Sequence, residues 1–390
     1  MSSLFEKTSI KSLTLKNRFI RSATGTRSAG ENGEVTPKIT EHIMDLVKGG
    51  VGLIISGHSY ILPDGQASSH QLGIHNDSLI PGLKNLVNKV HNGGGKIVAQ
   101  ISHGGAYSNP AFTGVEPMGP SAIPESKGKI APFGGCRSMS QGDINRVVNG
   151  FRDAAVRVKN AGFDGVQFHG AHSFLMSEFL SPFYNHRTDK YGGRVENRTR
   201  IIVEAYDRVR EAVGDNYPVM IKMNATDYLD DGISSSDALE AAKIFEDAGF
   251  DAIELSGGTL WGFFVLGEVN RSFCKNVEEE AYYRDFAERL KEDIKVPVVL
   301  TGGIKSFEVS KDVIESGVSD YVGFCRPLIR EPDMINRWKA GDTIKSGCIS
   351  DNACLLRGPG KDLQCFHVPK KIESIILSSH PHNARASSLN

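Results

Sequence analysis

The stretch FHGAHSFLMSEFLSP at 168–182 ends an apolar run on His169, places His172 three residues on, and follows it with Phe174. Imidazoles at that spacing suit four arrangements: metal ligands, a general base with its partner, two N–H donors aimed at one oxygen, or rings satisfied by backbone alone. A zinc site needs three or four ligands at short range, and His-x-x-His supplies two. Two fixed donors stabilise an oxygen that gains negative charge during a reaction, and one such donor is worth ~10²–10³ in rate. Other apolar runs also end in polar or small residues. These are Thr24-Gly25-Thr26-Arg27, Gly57-His58, Gln100 with His103, Lys222 with Asn224, Ser256-Gly257-Gly258, Thr301-Gly302-Gly303 and Gly323 to Arg326.

The elements that carry these residues repeat. AGFDGVQFHG at 161–170, AGFDAIELSGG at 248–258 and SGVSDYVGFC at 316–325 rhyme, with KGGVGLIISG at 48–57 as a looser fourth. Each is a glycine, a short turn, then a nearly uncharged run of the kind found in parallel strands covered on both faces. The glycine suits a helix end because it accepts the left-handed conformation. Amphipathic helices precede two of them, with Val147, Val148, Phe151, Ala155 and Val158 in one and Leu239, Ala242 and Phe245 in the other. Further strands are expected at 17–23, 95–102, 217–224 and 296–303. The alternation gives eight strand–helix units and predicts a (β/α)8 barrel, an α/β fold whose active site lies at the C-terminal strand ends. An open doubly wound sheet would want a Gly-rich fingerprint after its first strand, and none is present. In the barrel all the polar strand ends converge on one mouth. The Gly-bearing turns TGGI and GFCRP fall after strands 7 and 8, where such barrels often bind phosphate and where Arg326 adds a cation.

Composition narrows the class. The chain has 390 residues, 39% hydrophobic and 23% charged, with a net charge of -1. No basic cluster points to nucleic acid, and no apolar run approaches the ~18 residues of a membrane span. The N-terminus lacks the apolar core of a secretory signal, and six cysteines in a chain of this length make no disulfide scaffold. A cytoplasmic enzyme acting on small molecules is expected, with homo-oligomerisation left open.

The sequence resembles the Old Yellow Enzyme family of FMN-dependent oxidoreductases. The resemblance rests on LKNRFIRSAT, GGKIVAQISHGG, GPSAIP, the run from AGFDGVQFHGAH through FLSPFYNHRTDKYGGRVENR, PVMIKMN, IELSGGT and RPLIREPDMINRWKAGD, spanning residues 1 to 345. The REPDMINRW segment is similar to the branch that includes the barrel domain of enoate and 2,4-dienoyl-CoA reductases. The resemblance implies FMN as cofactor and NAD(P)H as reductant. It implies that the backbone of Ala23, Thr24, Gly25 and Gly57 lies against the flavin ring, that Gln100 hydrogen-bonds its pyrimidine edge, and that Lys222 stands beside N1 where many relatives have Arg. Gly302, Gly303, Cys325 and Arg326 would hold the phosphate. His169 and His172 would then clamp the substrate's carbonyl oxygen as the catalytic pair, with Arg27, Tyr60 and Phe174 lining the substrate side.

Three departures qualify the resemblance. Phe174 stands where most members carry the Tyr that protonates the substrate, and a phenyl ring has no proton to give. Tyr60, Tyr107 and Tyr184 are the alternatives near it in motif terms. Gly25 stands where relatives often have Thr or Cys touching the flavin. After a barrel of residues 1–345, the tail over 346–390 keeps Cys348, Cys354 and Cys365 where the related branch has four cluster-binding cysteines, with Asp351 in the second position. Clusters want thiolates; a cluster, zinc and idle thiols all stay open, and residues 370–390 read as a loose tail. Three functions follow: reduction of an activated C=C bond, for instance an α,β-unsaturated carbonyl; a dehydrogenase or demethylase of the trimethylamine-dehydrogenase type; or a flavin-binding protein with weakened catalysis.

Overall fold

The computed structural model describes residues 3–124, 135–259, 274, 276–354 and 363–367. Eight parallel strands close on themselves: β1 Phe19–Arg21, β2 Leu53–Ile55, β3 Ile97–Ser102, β4 Gly165–Gly170, β5 Val219–Asn224, β6 Ala252–Ser256, β7 Val298–Thr301 and β8 Tyr321–Phe324. Each pairs with its neighbour in the chain, β8 pairs with β1, and Ile54 opposite Ile97 joins β2 to β3. The expected barrel is therefore present, with strands a little shorter than the apolar runs. Thr301 is the last strand residue of its run, and Gly302 and Gly303 belong to the turn that follows.

Seven helices carry the crossovers: α1 Pro37–Lys48, α2 Ile80–Asn92, α3 Gln141–Asn160, α4 Arg200–Val213, α5 Ser235–Ala248, α6 Arg284–Asp293 and α7 Phe307–Glu315. The glycines that rhyme in the sequence do end helices in left-handed backbone: Gly50, Gly162, Gly249 and Gly317 have φ of 89, 88, 106 and 76°. An L side chain at these places would meet its own carbonyl, which is why the repeat keeps glycine there. Ser140 starts α3 with a reciprocal capping box to Asp143.

Two features escaped the sequence patterns. An antiparallel hairpin, Thr8–Ile10 against Leu13–Leu15, buries Ile10, Leu13 and Leu15 on Ile20, Leu53, Val98, Met220, Ala252, Val299 and Tyr321. These are inward residues of the strands, so the hairpin seals the end of the barrel opposite the polar mouth. A last helix, α8 Met334–Lys339, brings Trp338 against Phe19, Phe324 and Phe307. The expected loose tail over 370–390 lies outside the described residues. Phe19, fully buried and in contact with Phe5, Phe324 and Trp338, joins the barrel to this outer layer. Phe19→Ala should cost ~3–5 kcal/mol of stability, read as a lowered midpoint in urea unfolding.

Candidate active site

The barrel interior carries a polar layer above its apolar floor. Lys222 on β5 and Glu254 on β6 are register partners in the parallel ladder. Their side chains, 4% and 0% exposed, meet at 2.8 Å. Lys222 Nζ also donates to Ser22 Oγ at 2.7 Å, and Ser22 and Thr301 both donate to Glu254 Oε1, at 2.5 and 2.9 Å. Gln167 donates to Glu254 Oε2 at 2.8 Å and accepts from Gln100 Nε2 at 2.8 Å. Burial by itself drives the Glu254 carboxyl up, but Lys222, Ser22 and Gln167 hold it below its ordinary value. An unpaired charge at this depth would be prohibitive; this pair keeps both charges because nearly every lone pair of the carboxylate has a donor. Of the network only Lys222, Gln100 and, as a strand end, Thr301 stood out in the sequence. Glu254 and Gln167 lie inside apolar runs, and the signal that would have found them is a polar residue at the same depth in consecutive strands.

Above this layer the histidines meet. The rings of His169 and His172 are 5.4 Å apart, and Phe174 lies 4.5 Å from His169. A third imidazole, His58, packs 4.8 Å from Phe174 and 5.9 Å from His169. All three are neutral at physiological pH. Burial first, then the cation of Lys222, lowers His172 to about 3; burial and Arg27 lower His58 to about 4. His169 falls well below its ordinary value through burial and its neighbours His172, His58 and Lys222. His172 Nε2 shares a 2.7 Å hydrogen bond with Ser256 Oγ. His169 Nδ1 is buried and has no partner among the described residues. A buried ring nitrogen of this kind is one a ligand can satisfy.

The backbone under these rings is strained. His172 and Ser173 are consecutive non-glycine residues at φ 62°, a region that costs ~1–3 kcal/mol each and persists only where the surroundings enforce it. Asn224 Oδ1 accepts from His172 N at 3.3 Å, Ser177 Oγ accepts from Ser173 N at 3.3 Å, and Tyr184 donates to Ser173 Oγ at 3.1 Å. Asn224 is fixed in turn by donating to Asp227 and to Gly258 O.

The remaining sequence candidates divide. A Cβ on Gly57 would come within 2.7 Å of Thr24 O and 3.4 Å of Gly25 Cα, so these backbones touch at the mouth beside half-buried Ala23. Thr24 Oγ1 lies 3.0 Å from Cys325 Sγ and also contacts the fully buried Arg21. Gly303 takes φ 72°, and a Cβ there would approach the Tyr282 ring to 2.7 Å, so only glycine fits. Arg326 Nη1 donates to Ser350 O at 3.2 Å and Asn352 Oδ1 at 2.8 Å, which brings the tail onto the turn after β8. Arg27, exposed at φ 50°, stands close enough to influence His58. Tyr60 lies in a short strand, Ser59–Tyr60, that pairs with Ile101 and Ser102 of β3, and its ring stacks on His75 at 4.6 Å. The tail thiols Cys348, Cys354 and Cys365 are free, with Cys354 pushed up to about 12 by burial and neighbouring thiols. Among the described residues no three His, Cys, Asp or Glu side chains are grouped to hold a metal ion, and no helix is long and apolar enough to cross a membrane.

The profile of the NADH:flavin oxidoreductase / NADH oxidase family matches residues 3–344. The chain belongs to this family. It is 33% identical over 359 residues to a NADH oxidase of Thermoanaerobacter brockii, a match that covers 91% of the chain and 54% of the relative. It thus spans about half the length of that relative. To the NADPH dehydrogenase of Bacillus subtilis (strain 168) it is 34% identical, covering 84% of the chain and 92% of the relative. Among solved structures, the Old Yellow Enzyme homologue from Zymomonas mobilis superposes with a TM-score of 0.75 at 26% identity, covering 88% of this chain and 94% of that one. Membership brings FMN as cofactor. The donor set fits such a group: a buried cation, a buried amide, an imidazole nitrogen without a partner among the described residues, and glycine turns leading to an arginine.

Two outcomes follow. Glu254→Gln should cost ~3–5 kcal/mol by leaving Lys222 buried without its counter-charge. Pairing it with Lys222→Met should recover most of that loss in urea unfolding, and additive losses would contradict a coupled pair. The second outcome concerns acid. A histidine held neutral when folded takes its proton on unfolding, so between its ordinary value of 6.5 and its folded value of about 4 the unfolded state of His58 binds more protons. Stability must then rise with pH across that window and fall as acid is added. His58→Gln should flatten the slope of the unfolding midpoint against pH.

Proposed function

We propose that the chain is an FMN-dependent oxidoreductase that passes hydride from NAD(P)H, by way of the flavin, to an activated C=C bond. The observation that carries this reading is His169 Nδ1, a buried nitrogen without a partner among the described residues, standing beside His172 at the mouth of the barrel. FMN supplies the hydride chemistry when bound. Gln100 and Lys222 would hold its ring, with the backbone of Ala23 to Gly25 and Gly57 against it, and Gly302, Gly303, Cys325 and Arg326 would hold its phosphate.

Addition of hydride to the β-carbon of an enone drives negative charge onto the carbonyl oxygen. His169 would meet that oxygen with Nδ1–H. His172 has Nε2 engaged with Ser256, so it would also use Nδ1–H, with the Ser256 hydroxyl donating to Nε2. Neutral imidazoles suit this task, because a fixed N–H needs no proton exchange as charge develops.

Protonation of the α-carbon is the weaker half of the site. Phe174 has no proton, and the Tyr184 and Tyr107 hydroxyls are turned to Ser173 and to each other, at 3.1 and 3.4 Å. Tyr60 stacks on His75, and burial with the nearby Glu34 pushes its phenol up to about 12, which makes it a poor acid. The proton would therefore come from water, which favours substrates whose product anion is stable, such as nitroalkenes, quinones and doubly activated alkenes.

The pure protein should release one FMN per chain on denaturation and be bleached by NADH or NADPH; a colourless protein that cannot be reconstituted would falsify the proposal. His169→Ala and His172→Ala should each weaken phenol or enone binding and slow reoxidation more than reduction. Cyclohexenone should be a poor substrate beside a nitroalkene. Phe174→Tyr should raise the cyclohexenone rate towards the ~10²–10⁴ that a positioned acid contributes. Faster oxidation of amines or saturated ketones than reduction of any alkene would put the dehydrogenase reading in its place.

A further inference from the structure

The polar layer fixes more than a charge pair. Gln100 of β3 and Gln167 of β4 are register partners, as are Lys222 of β5 and Glu254 of β6. The bond from Gln167 Nε2 to Glu254 Oε2 ties the two pairs together across the barrel. All of these side chains are buried, and at such depth a donor facing a donor costs the full desolvation of both.

Polarity runs through this chain of groups in one direction. The Glu254 carboxyl is held below its ordinary value, as an ionised group that can only accept. Lys222, Ser22 and Thr301 all donate to its Oε1, which leaves Oε2 for the Gln167 amide. Gln167 must meet it with Nε2, at 2.8 Å, and so shows Oε1 to its other neighbour. Gln100 must answer that oxygen with its own Nε2, at 2.8 Å. The neighbours thus settle which end of each amide is nitrogen. What Gln100 has left is Oε1, since among the described residues its side chain bonds to Gln167 alone. A carboxylate on β6 decides, through two amides, that β3 offers an acceptor.

We infer that Glu254 and Gln167 are positioning residues for the cofactor, orienting Gln100 so that its oxygen faces the flavin. The inference rests on the reading of Gln100 as the partner of the ring's pyrimidine edge. That edge has one donor, the imide N3–H, between two carbonyl oxygens. An outward Oε1 complements N3–H, whereas an outward Nε2 would set donor against donor.

Replacing the carboxylate by its amide reverses the relay. In Glu254→Gln, the donors gathered at Oε1 keep the new carbonyl oxygen there, and an N–H takes the place of Oε2. Gln167 then turns its oxygen to that N–H and its nitrogen to Gln100, and Gln100 turns its nitrogen outward. Moving the carboxylate one step along, in Glu254→Gln/Gln167→Glu, turns Gln100 back, because a carboxylate at position 167 accepts from both neighbours.

The test is the affinity of the flavin-free chain for FMN and for 3-methyl-FMN, which lacks the imide donor, read by quenching of flavin fluorescence. The bulk of the methyl group weighs on every variant alike, so the change in preference between variants is the readout. The native chain should favour FMN about tenfold, the scale of one hydrogen bond near 1.4 kcal/mol. Glu254→Gln should lose that preference, and Glu254→Gln/Gln167→Glu should regain most of it despite the further substitution. Packing alone would make the double variant the worse of the two. Gln167→Met, which cuts the relay and leaves the ion pair intact, should narrow the preference about threefold, and it decides the matter if Glu254→Gln does not fold. A preference unchanged in every folded variant, or a double variant no better than Glu254→Gln, would overturn the relay and leave Gln100 at the ring edge. If the native chain binds FMN with no preference over 3-methyl-FMN, the reading of Gln100 fails, and the relay with it.

Discussion

The pairing of Lys222 with Glu254 inside the barrel is the constraint on which the site's geometry depends. Two opposite charges buried at 2.8 Å tolerate little displacement, because separating them leaves each desolvated and uncompensated. The carboxylate gathers Ser22 at the end of β1, Gln167 on β4 and Thr301 on β7, and Gln167 brings in Gln100 on β3. Six strands of the barrel thus report to one ion pair. A slip of one residue between β5 and β6 would turn one of the two charges outward into the helical layer. The pair therefore specifies the ladder register, and with it the height at which His169, opposite Lys222 on β4, reaches the mouth.

Strain above the network complements rigidity below it. Residues 172 and 173 sit in left-handed backbone without being glycine, and the groups that hold them come from three directions: Asn224 on β5, Ser177 in the helix Leu175–Leu180 and Tyr184 beyond it. The result is a histidine whose backbone N–H and ring nitrogen are both tied to the barrel. Preorganisation of this kind is what a charge-stabilising donor needs, since a ring that must reorient during reaction gives back much of its benefit.

The eight units were legible because each strand is an uncharged run bounded by a glycine that ends a helix, and both signals are local. The hairpin under the barrel was not, because its three-residue strands leave no periodicity to count. Lys222 and Gln100 were visible through motif resemblance, whereas Glu254 was hidden in AIELS, where one acid in an apolar strand carries no local meaning. Its role depends on which residue of the next strand stands opposite, and that is a property of register. His58 was harder still: its ring partner is the amide of Gln71, thirteen residues away in the chain. Tyr60 was visible only by its nearness to a strand end; that it lies in a short strand beside β3, with its ring on His75, is again a matter of register.

The docking of the tail on Arg326 couples two parts of the molecule that the sequence keeps apart. Ser350 and Asn352, themselves in left-handed backbone, present their oxygens to one guanidinium. An anion that draws Arg326 towards the barrel mouth competes with those two oxygens, and any chemistry that pins the tail competes with the anion. Such a competition is reciprocal: whatever factor the tail takes from anion affinity, the anion takes from tail attachment. If the turn after β8 holds an anion through Arg326, the retention of that anion and the docking of residues 350–352 are one equilibrium.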